Sequence, residues 1–534
     1  MSEGTAKKEE RRKFQAIKGT RDLLPPETAL WNRVEQTAQE VFASYGFGEI
    51  RLPILENIEL FARSIGGETD IVGKEMFSFE EYGWTAIDTF RRNILTTNPI
   101  DYRKYYEAFN PEIHISRFLD ALKTAVAAGE ISKTPEVVSA LHNIPEYCLH
   151  LKQYLQSPRS EQNEIDLRAI WTSVQQSVKN VRLGDQLSLR PEATASVCRA
   201  YIENNMQQLP QPVKLYTMGP MFRRERPQKG RYRQFYQIDA EVLGGSDAPA
   251  IDAELIEMVM TFFARLGLEG VELDINCIGD KKCRPKYVEL LRAELSKVKE
   301  KLGPDSQRRI ETNPLRVLDS KLENEQKLIE GMPQIADHLC EECAENYRGV
   351  KKELELRGVK YRENWRLVRG LDYYSRTTFE ITAKGLGSQN AVCGGGRYDG
   401  LMELLGGSPT RATGFAIGED RLILSLQEAG KTPASRGRDV YIAWMGEKAY
   451  ATAIRAAKNL RAAGYSVELP PVEQKFGKAL GQADKLGARY ALILGDNEVA
   501  SGEWTLKTLA SGEQAKFKEA DLLDFLRKSK AVSS

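Results

Sequence analysis

MFRRERPQKGRYRQFYQIDAE, residues 221 to 241, spells out a hairpin. A strand-like run, Lys214 to Phe222, enters it, a loop from Arg226 to Arg233 crosses over, and an alternating run, Gln234 to Val242, returns. Pro227 and Gly230 in the loop are the residues that punctuate such a connection, and the spacing predicts a long tip. Arg223, Arg224, Arg226, Lys229, Arg231 and Arg233 line this arm. Side chains alternate along a strand, so Gln237, Asp239 and Glu241 share one face, with Tyr236, Ile238, Ala240 and Val242 on the other. A cationic arm over a polar, acidic floor suits a substrate with one anionic end and one cationic or hydrogen-bonding end. A solvated charged edge would give the same arm, so its function rests on the rest of the chain.

A chain of 534 residues is long enough for several domains. Its formal net charge is +1, so contact with nucleic acid has to come from local patches. No apolar run long enough to span a bilayer occurs, so no membrane partner is expected. The opening MSEGTAKKEERRKF is charged and lacks the apolar centre of a secretory signal. Residues 1–14 read as a disordered tail. Seven scattered cysteines suit reduced thiols and a cytoplasmic location. Cys340 and Cys343 form a CxxC, but the upstream pair, Cys277 and Cys283, has a longer gap than zinc ligands use. No metal site is expected from the cysteines.

Along the chain, Thr28 to Tyr45 carries a helical stripe. Ile50, Leu52 and Ile54 then alternate as a strand through Pro53, which places it at a sheet edge and makes it a surface for a partner subunit. A strand at Met76–Phe79 is followed by a segment, 81–184, of short helices (Ile115–Ala128, Pro145–Gln156, Glu164–Lys179) without catalytic pattern. His114, His142 and His150 in it read as surface or packing residues. In DQLSLRPEATASVCRAYIENN a strand ends at Leu189 and a helix runs from Ala193 to Asn204. Glu192 and Thr194 stand at the junction, where free helix N–H groups gather, although a first-turn carboxylate on the helix dipole reads the same way. Residues 279–364 form a charged helical module without chemistry of its own. WRLVRGLDYYSRTTFEIT predicts strand, turn and strand, with Arg369 before the bend and Tyr373 and Tyr374 after it. CGGGRYDGL removes side chains so that a ligand or backbone can approach, or makes a tight bend. TGFAIGEDRLIL sets Arg421 on a helix. After a linker at 431–438, alternating strands and helices predict a compact α/β binding domain with a largely parallel sheet.

Taken together and in order, these pieces resemble the histidyl-tRNA synthetase family of class II aminoacyl-tRNA synthetases. YGFGEIRLPILE, FRRERPQKGRYRQF and GFAIGEDRL are similar to its three class motifs, and LVRGLDYY and GGGRYDGL to peptides peculiar to histidyl enzymes. GARYALILGDNEVASGEWTLKTLASGEQ resembles its anticodon-binding domain. The resemblance implies an α/β and α+β multidomain chain: a class II antiparallel-sheet catalytic core with helical insertions, then a C-terminal α/β anticodon-binding domain. Core parts fall at 15–80, 185–278 and 365–430, insertions at 81–184 and 279–364, and the anticodon-binding domain at 439–534. It implies a histidine ligase with ATP as substrate, Mg²⁺, L-histidine and tRNA(His) as partners, and a homodimer.

By the same resemblance Arg223 grips the ATP α-phosphate with Glu225 on the adenine side, Arg231 also contacts ATP, and Arg421 holds the γ-phosphate. Arg369 stands at the α-phosphate and the histidine carboxylate. Glu192 and Thr194 hold the amino group and Gln237 the carboxylate side, while Glu241, Tyr373 and Tyr374 make the imidazole pocket. Arg226 and Gln228 reach the tRNA acceptor end. Two departures stand out: Ala193 where the family has glycine, and the segment 81–184, about a hundred residues where ordinary loops are far shorter. It is tolerable where its two ends lie close together, because closure entropy grows slowly with length.

Two other readings compete. A synthetase-like regulatory subunit would bind histidine without charging tRNA, but this chain keeps Arg223, Arg369 and Arg421 and a C-terminal domain. A free nucleic-acid-binding protein would need more basic charge than this chain carries.

Overall fold

The structure, a computed structural model, describes residues 14–66, 71–81, 86–96, 111–128, 131, 133–156, 164–181, 185–371, 373–384, 390–433 and 437–531. It divides into two compact units, Met1–Thr432 and Pro433–Ser534. The tail at 1–13 lies outside the described residues.

The strands, in chain order, are β1 (Gly48–Glu49), β2 (Leu55–Asn57), β3 (Ser78–Glu81), β4 (Asp185–Leu189), β5 (Val213–Phe222), β6 (Gln234–Leu243), β7 (Glu272–Cys277), β8 (Arg362–Glu363), β9 (Ser375–Thr382), β10 (Ala391–Arg397) and β11 (Ala412–Gly418), followed by β12 (Val440–Trp444), β13 (Val467–Glu468), β14 (Tyr490–Leu494), β15 (Glu503–Thr508) and β16 (Gln514–Lys518). The first unit is built on an eight-stranded sheet in the order β1-β5-β6-β11-β10-β9-β7-β8. Its inner pairings are antiparallel, and only the outermost strands, β1 on β5 and β8 on β7, run parallel. The β5–β6 hairpin sits beside β11, so the arginine arm and the GFAIG strand are neighbours. Apolar residues of one sheet face (Tyr216, Ile238, Ala240, Val242, Phe379, Phe415) pack on the helices Thr28–Ser44 and Pro249–Leu266. That burial leaves the opposite face of β6 free to carry Gln237, Asp239 and Glu241.

The expected strand from Ile50 to Ile54 is not one. Gly48 and Glu49 pair with β5 and the Ile50 N–H donates to the Tyr216 carbonyl (2.8 Å), after which the ladder ends ahead of Pro53, which has no N–H to offer one. Ile54 and Leu55 are left 42% and 48% exposed near this edge. The first strand expected in WRLVRGLDYY is likewise a loop, and in CGGGRYDGL the run Cys393–Arg397 is no bend but the last part of the interior strand β10.

β4 is the central strand of a three-stranded sheet, pairing antiparallel with β2 on one side and β3 on the other, and Glu81 lies opposite Asp185. The ends of the 82–184 segment are therefore adjacent, as a long insertion requires. Its described helices are Ala86–Thr96, Pro111–Ala127, Pro135–Gln156 and Glu164–Asn180. Pro145 does not begin a helix. It lies inside Pro135–Gln156, where buried Val137, Ala140, Ile144 and Leu151 hold the turns on either side of it. Together with Ile115, Phe118, Trp171, Val174 and Val178 they form a separate hydrophobic core. His142 and His150 are exposed on that helix, and the side chain of His114 lies outside the described residues.

The second unit holds a five-stranded sheet, β13-β12-β14-β15-β16. β12, β13 and β14 are parallel, but β15 and β16 are antiparallel, so the sheet is mixed rather than largely parallel. No described helix is long and apolar enough to cross a membrane.

Candidate active site

A cleft of about 280 Å³ lies over the β6–β11–β10 face of the large sheet. Arg223 enters it from the end of β5, fixed by donation from Nε to the Pro191 carbonyl (2.9 Å) and stacked 5.1 Å from the Phe235 ring. Arg421 enters from the first turn of the helix Glu419–Glu428, donating to the carbonyls of Gly230 (3.3 Å) and Ala391 (3.1 Å). Asp420, beside it, clamps that helix to the hairpin, accepting from the Tyr236 N–H (2.9 Å) and from Arg21 (3.1 Å). Arg369 donates to Glu380 (2.8 Å). Arg231 is ion-paired with buried Glu225. Burial lowers the pKa of Arg223 and Arg421 from the ordinary guanidinium value, and for Arg421 the charges of Arg231 and Arg223 press further in the same direction. Cations that repel one another around one cleft make it favourable for a polyanion.

The glycines of β10 explain how Arg369 reaches the floor. A Cβ on Gly394 would stand 2.1 Å from its guanidinium, and one on Gly395 would stand 2.3 Å from the Gly414 carbonyl oxygen on the neighbouring strand. Side chains are excluded for two different reasons at adjacent positions: one for an arginine, one for the sheet.

The acidic wall is held by hydrogen bonds that the sequence does not show. Glu192 accepts from the N–H groups of Thr194 (2.8 Å) and Ala195 (2.9 Å), so it caps its own helix, Thr194–Glu203, while still lining the cleft. Arg190 holds this turn on the hairpin through the Pro220 carbonyl (3.0 Å) and on the segment after β1 through the Leu52 carbonyl (3.1 Å). Glu241 is placed differently from expectation. Its two oxygens accept from Thr194 Oγ1 (2.7 Å) and from the Tyr398 hydroxyl, and it lies beneath the residues that line the cleft. The reason is register: each step of two along β6 moves a residue further from the hairpin tip, and Glu241 faces Gly414 where the floor is already closed. Tyr373 and Tyr374 do line the cleft, with ring centroids 4.8 Å apart, and Tyr373 meets Tyr398 edge-on at 5.6 Å.

Gln237 Oε1 and Asp239 Oδ2 are buried on the cleft floor without a protein partner. Unpaired buried oxygens are costly and mark where a ligand supplies the missing donor. Burial drives the Asp239 carboxyl well above its ordinary range, helped by the nearby Glu192 charge. Sequence reasoning did not single out Asp239, Tyr398 or Glu380 as site residues. Asp239 was visible on the Gln237 face, and Tyr398 stood next to the triple glycine. Arg226 and Gln228 are exposed at the hairpin tip, which closes tightly through mutual backbone hydrogen bonds between Gln228 and Arg231 (3.0 and 2.9 Å) rather than as an open loop. A larger hollow, about 990 Å³, lies beyond Tyr373 and Tyr374, but Arg223, Arg369 and Arg421 do not line it.

Residues 177–428 match the class II core domain of the G, H, P, S and T tRNA synthetases, and residues 439–529 match an anticodon binding domain. Histidine–tRNA ligase of Solibacter usitatus (strain Ellin6076) is 44% identical over 502 residues, 94% of this chain and 96% of that one. The chain belongs to the histidine–tRNA ligase family. The corresponding ligase of Koribacter versatilis (strain Ellin345) is 42% identical over 518 residues, 96% of each chain. Both aligned spans run across residues 81–184. Among solved structures, apo histidyl-tRNA synthetase of S. aureus superposes with a TM-score of 0.66 at 28% identity, covering 96% of this chain and all of that one.

Proposed function

We propose that the chain activates L-histidine with ATP and then transfers the histidyl group to the 3′ end of tRNA(His). The observation that carries this reading is the cleft with Arg223, Arg369 and Arg421 on one side and Glu192, Gln237, Asp239 and the tyrosine pair on the other. In the first step a histidine carboxylate oxygen attacks the ATP α-phosphorus. The bond from that phosphorus to the bridging oxygen breaks, and pyrophosphate leaves with the electron pair. Charge builds on phosphoryl oxygens, so fixed guanidiniums accelerate the step without a protein nucleophile. Arg223 and Arg369 serve the α-phosphate, Arg421 and Arg231 the outer phosphates, and Glu225 orients Arg231 near the adenine side. Glu225 and Glu380 are oxygen donors of the kind that would hold Mg²⁺ beside ATP, where it would offset phosphate charge.

Glu192, with its helix N–H bonds already made, keeps outward lone pairs for the histidine ammonium, and Thr194 lies beside it. Gln237 and Asp239 complete the floor. The imidazole sits against Tyr373 and Tyr374. Glu241 acts from below, holding Thr194 and Tyr398 in place. In the second step the terminal ribose hydroxyl attacks the acyl carbon, AMP leaves, and the hydroxyl proton passes to the released phosphate. Arg226 and Gln228 at the tip guide the acceptor end, and the second unit takes the anticodon. A homodimer forms through the edge near Ile54 and Leu55. No disulfide joins the described cysteines, which agrees with a reducing cytoplasm.

The test is ATP–pyrophosphate exchange across the twenty amino acids. Exchange with histidine alone is expected, falling about a hundred- to thousand-fold in Arg369→Ala. A folded chain that binds histidine but gives no exchange would overturn the reading.

A further inference from the structure

The helical module at 279–364 was expected to carry no chemistry, and the cysteines no metal. The fold contradicts the reasoning behind both. Cys277 is not the partner of Cys283; Asp280 is. One ligand atom each from Asp280, Cys283, Cys340 and Cys343 lies within 4.8 Å of all the others. We propose that these four side chains form a structural Zn²⁺ site.

The distances suit tetrahedral coordination. Cys283 Sγ and Cys343 Sγ are 3.9 Å apart, and Asp280 Oδ1 is 3.4 Å from Cys283 Sγ and 4.0 Å from Cys340 Sγ. With Zn–S about 2.3 Å and Zn–O about 2.0 Å, a tetrahedron has edges of roughly 3.8 Å (S–S) and 3.5 Å (S–O). A disulfide needs its sulfurs at about 2.05 Å and would leave the third thiol over. Soft thiolates with one carboxylate select zinc over magnesium or calcium, which take oxygen donors.

The ligand spacing is also that of a zinc site once the aspartate is counted: Asp280-x-x-Cys283 and Cys340-x-x-Cys343. Each pair sits at the start of a helix. Cys283 precedes Arg284–Lys297 and Cys340 precedes Glu341–Leu356, so two positive helix ends face the sulfurs. The Asp280 N–H donates to Cys283 Sγ at 3.4 Å. Gly279, at φ +65°, keeps the approach open, since a Cβ there would stand 2.8 Å from that sulfur. Three thiolates and a carboxylate around Zn²⁺ carry a net charge of about −2. Lys282, Arg284 and Arg376 lie around the cluster and offset it, Lys282 and Arg376 both pairing with Glu342.

The site ties the loop after β7 to a helix some sixty positions downstream, a long closure that a metal clip stabilises. It also braces the cleft wall. Arg284, next to Cys283, donates to the Tyr374 carbonyl at 2.7 Å. Binding is ligand exchange without redox: each thiol releases its proton to solvent as its sulfur bonds the metal.

Full-length protein purified without chelator is expected to hold about one zinc per chain by mass spectrometric metal analysis. Cys148→Ser, in the separate insertion core, keeps it, and Cys343→Ser loses it. Because Cys343→Ser also risks misfolding, the wild-type chain is exchanged into Co²⁺. Intense thiolate-to-cobalt absorption in the near ultraviolet, with the visible bands of a tetrahedral ion, is expected. Zinc retained in Cys343→Ser, a Cys283–Cys343 disulfide in the native protein, or a chain with reduced thiols that takes up neither metal would each overturn the proposal.

Discussion

The two large sheets of this chain solve opposite problems. In the second unit, β12 is buried along its whole length, β14 nearly so, and Thr452 and Thr505 are its only buried polar residues among those described. The eight-stranded sheet of the first unit buries Gln237, Asp239, Glu241 and Arg397 on its own strands, with Glu192 and Glu419 buried on the turn and helix next to it, and leaves polar atoms of Gln237, Asp239 and Glu419 without partners. Burying polar groups opposes folding unless bonds replace the lost water. The first sheet tolerates this on one face because its other face carries the large apolar core. The comparison teaches where to look for chemistry: in the sheet that holds unmet hydrogen-bonding groups, not in the one packed for stability.

The sharpest way to break that contrast is inside β10, where adjacent glycines serve the two purposes separately. Gly395→Ala drives a Cβ into the Gly414 carbonyl and the Phe379 ring, and is expected to destabilise the first unit by roughly 3 kcal/mol, seen in chemical unfolding. Gly394→Ala meets the Arg369 guanidinium first, the movable end of a side chain. It should keep the fold and lower histidine-dependent exchange about a hundredfold, as loss of one transition-state donor does. Equal effects on folding from both substitutions would show that Gly394 serves the sheet rather than the arginine.

The reverse experiment belongs to the second unit. Leu492, fully buried in β14, packs with Val440, Ile442 and Trp504. Leu492→Ala is expected to cost about 2–5 kcal/mol in the unfolding of that unit. Pyrophosphate exchange at temperatures where both units stay folded should remain within about twofold, because no transition-state contact is touched. A large drop in exchange would mean that the second sheet is not confined to stability and binding.

Legibility followed locality. The β5–β6 hairpin, the Arg421 helix and the alternation of the second unit are short-range patterns, and they stood in the sequence almost at their observed boundaries. Strand order did not: that β11 separates β6 from β10 follows from pairing between distant segments. β16, QAKFK, was missed because its side chains are mostly exposed and show no apolar alternation. Arg223, Arg369 and Arg421 could be named from motifs. The withdrawal of Glu241 beneath the floor could not, because it depends on how far β6 runs before β11 closes over it. The grouping of Asp280, Cys283, Cys340 and Cys343 was hidden by counting cysteines alone, when its fourth donor atom is a carboxylate oxygen.

A smaller effect separates the chemistry of the hairpin floor from its tip. Arg226 is exposed and far from the buried cations in environment if not in sequence. Arg226→Ala should leave amino acid activation unchanged and raise KM for tRNA about fivefold, the worth of one screened phosphate contact near 1 kcal/mol. The difference should fade as salt is raised. Loss of exchange instead would place Arg226 with the ATP arginines.

The smallest effect tests whether unmet polar groups really weigh against the first sheet. Asp239 is buried, and its carboxyl titrates well above 3.8, burial being the main cause. For an acid whose folded value is raised, the folded state holds its proton more firmly than the unfolded chain does. The stabilising linkage is complete below the unfolded value and is lost as pH rises through the folded one. At neutral pH the wild type therefore bears the cost of an ionised or proton-retaining buried carboxyl, which an amide of the same shape avoids. Asp239→Asn is expected to raise the melting temperature of the substrate-free protein by about 2 °C near pH 7. That gain should shrink as pH falls toward 4, where the unfolded carboxyl is also protonated. Thermal unfolding from pH 4 to pH 8 reads both. A melting temperature lowered by Asp239→Asn at neutral pH would mean that Arg190 and Arg223 outweigh burial, and that the floor is assembled around an ion pair rather than held open for a ligand.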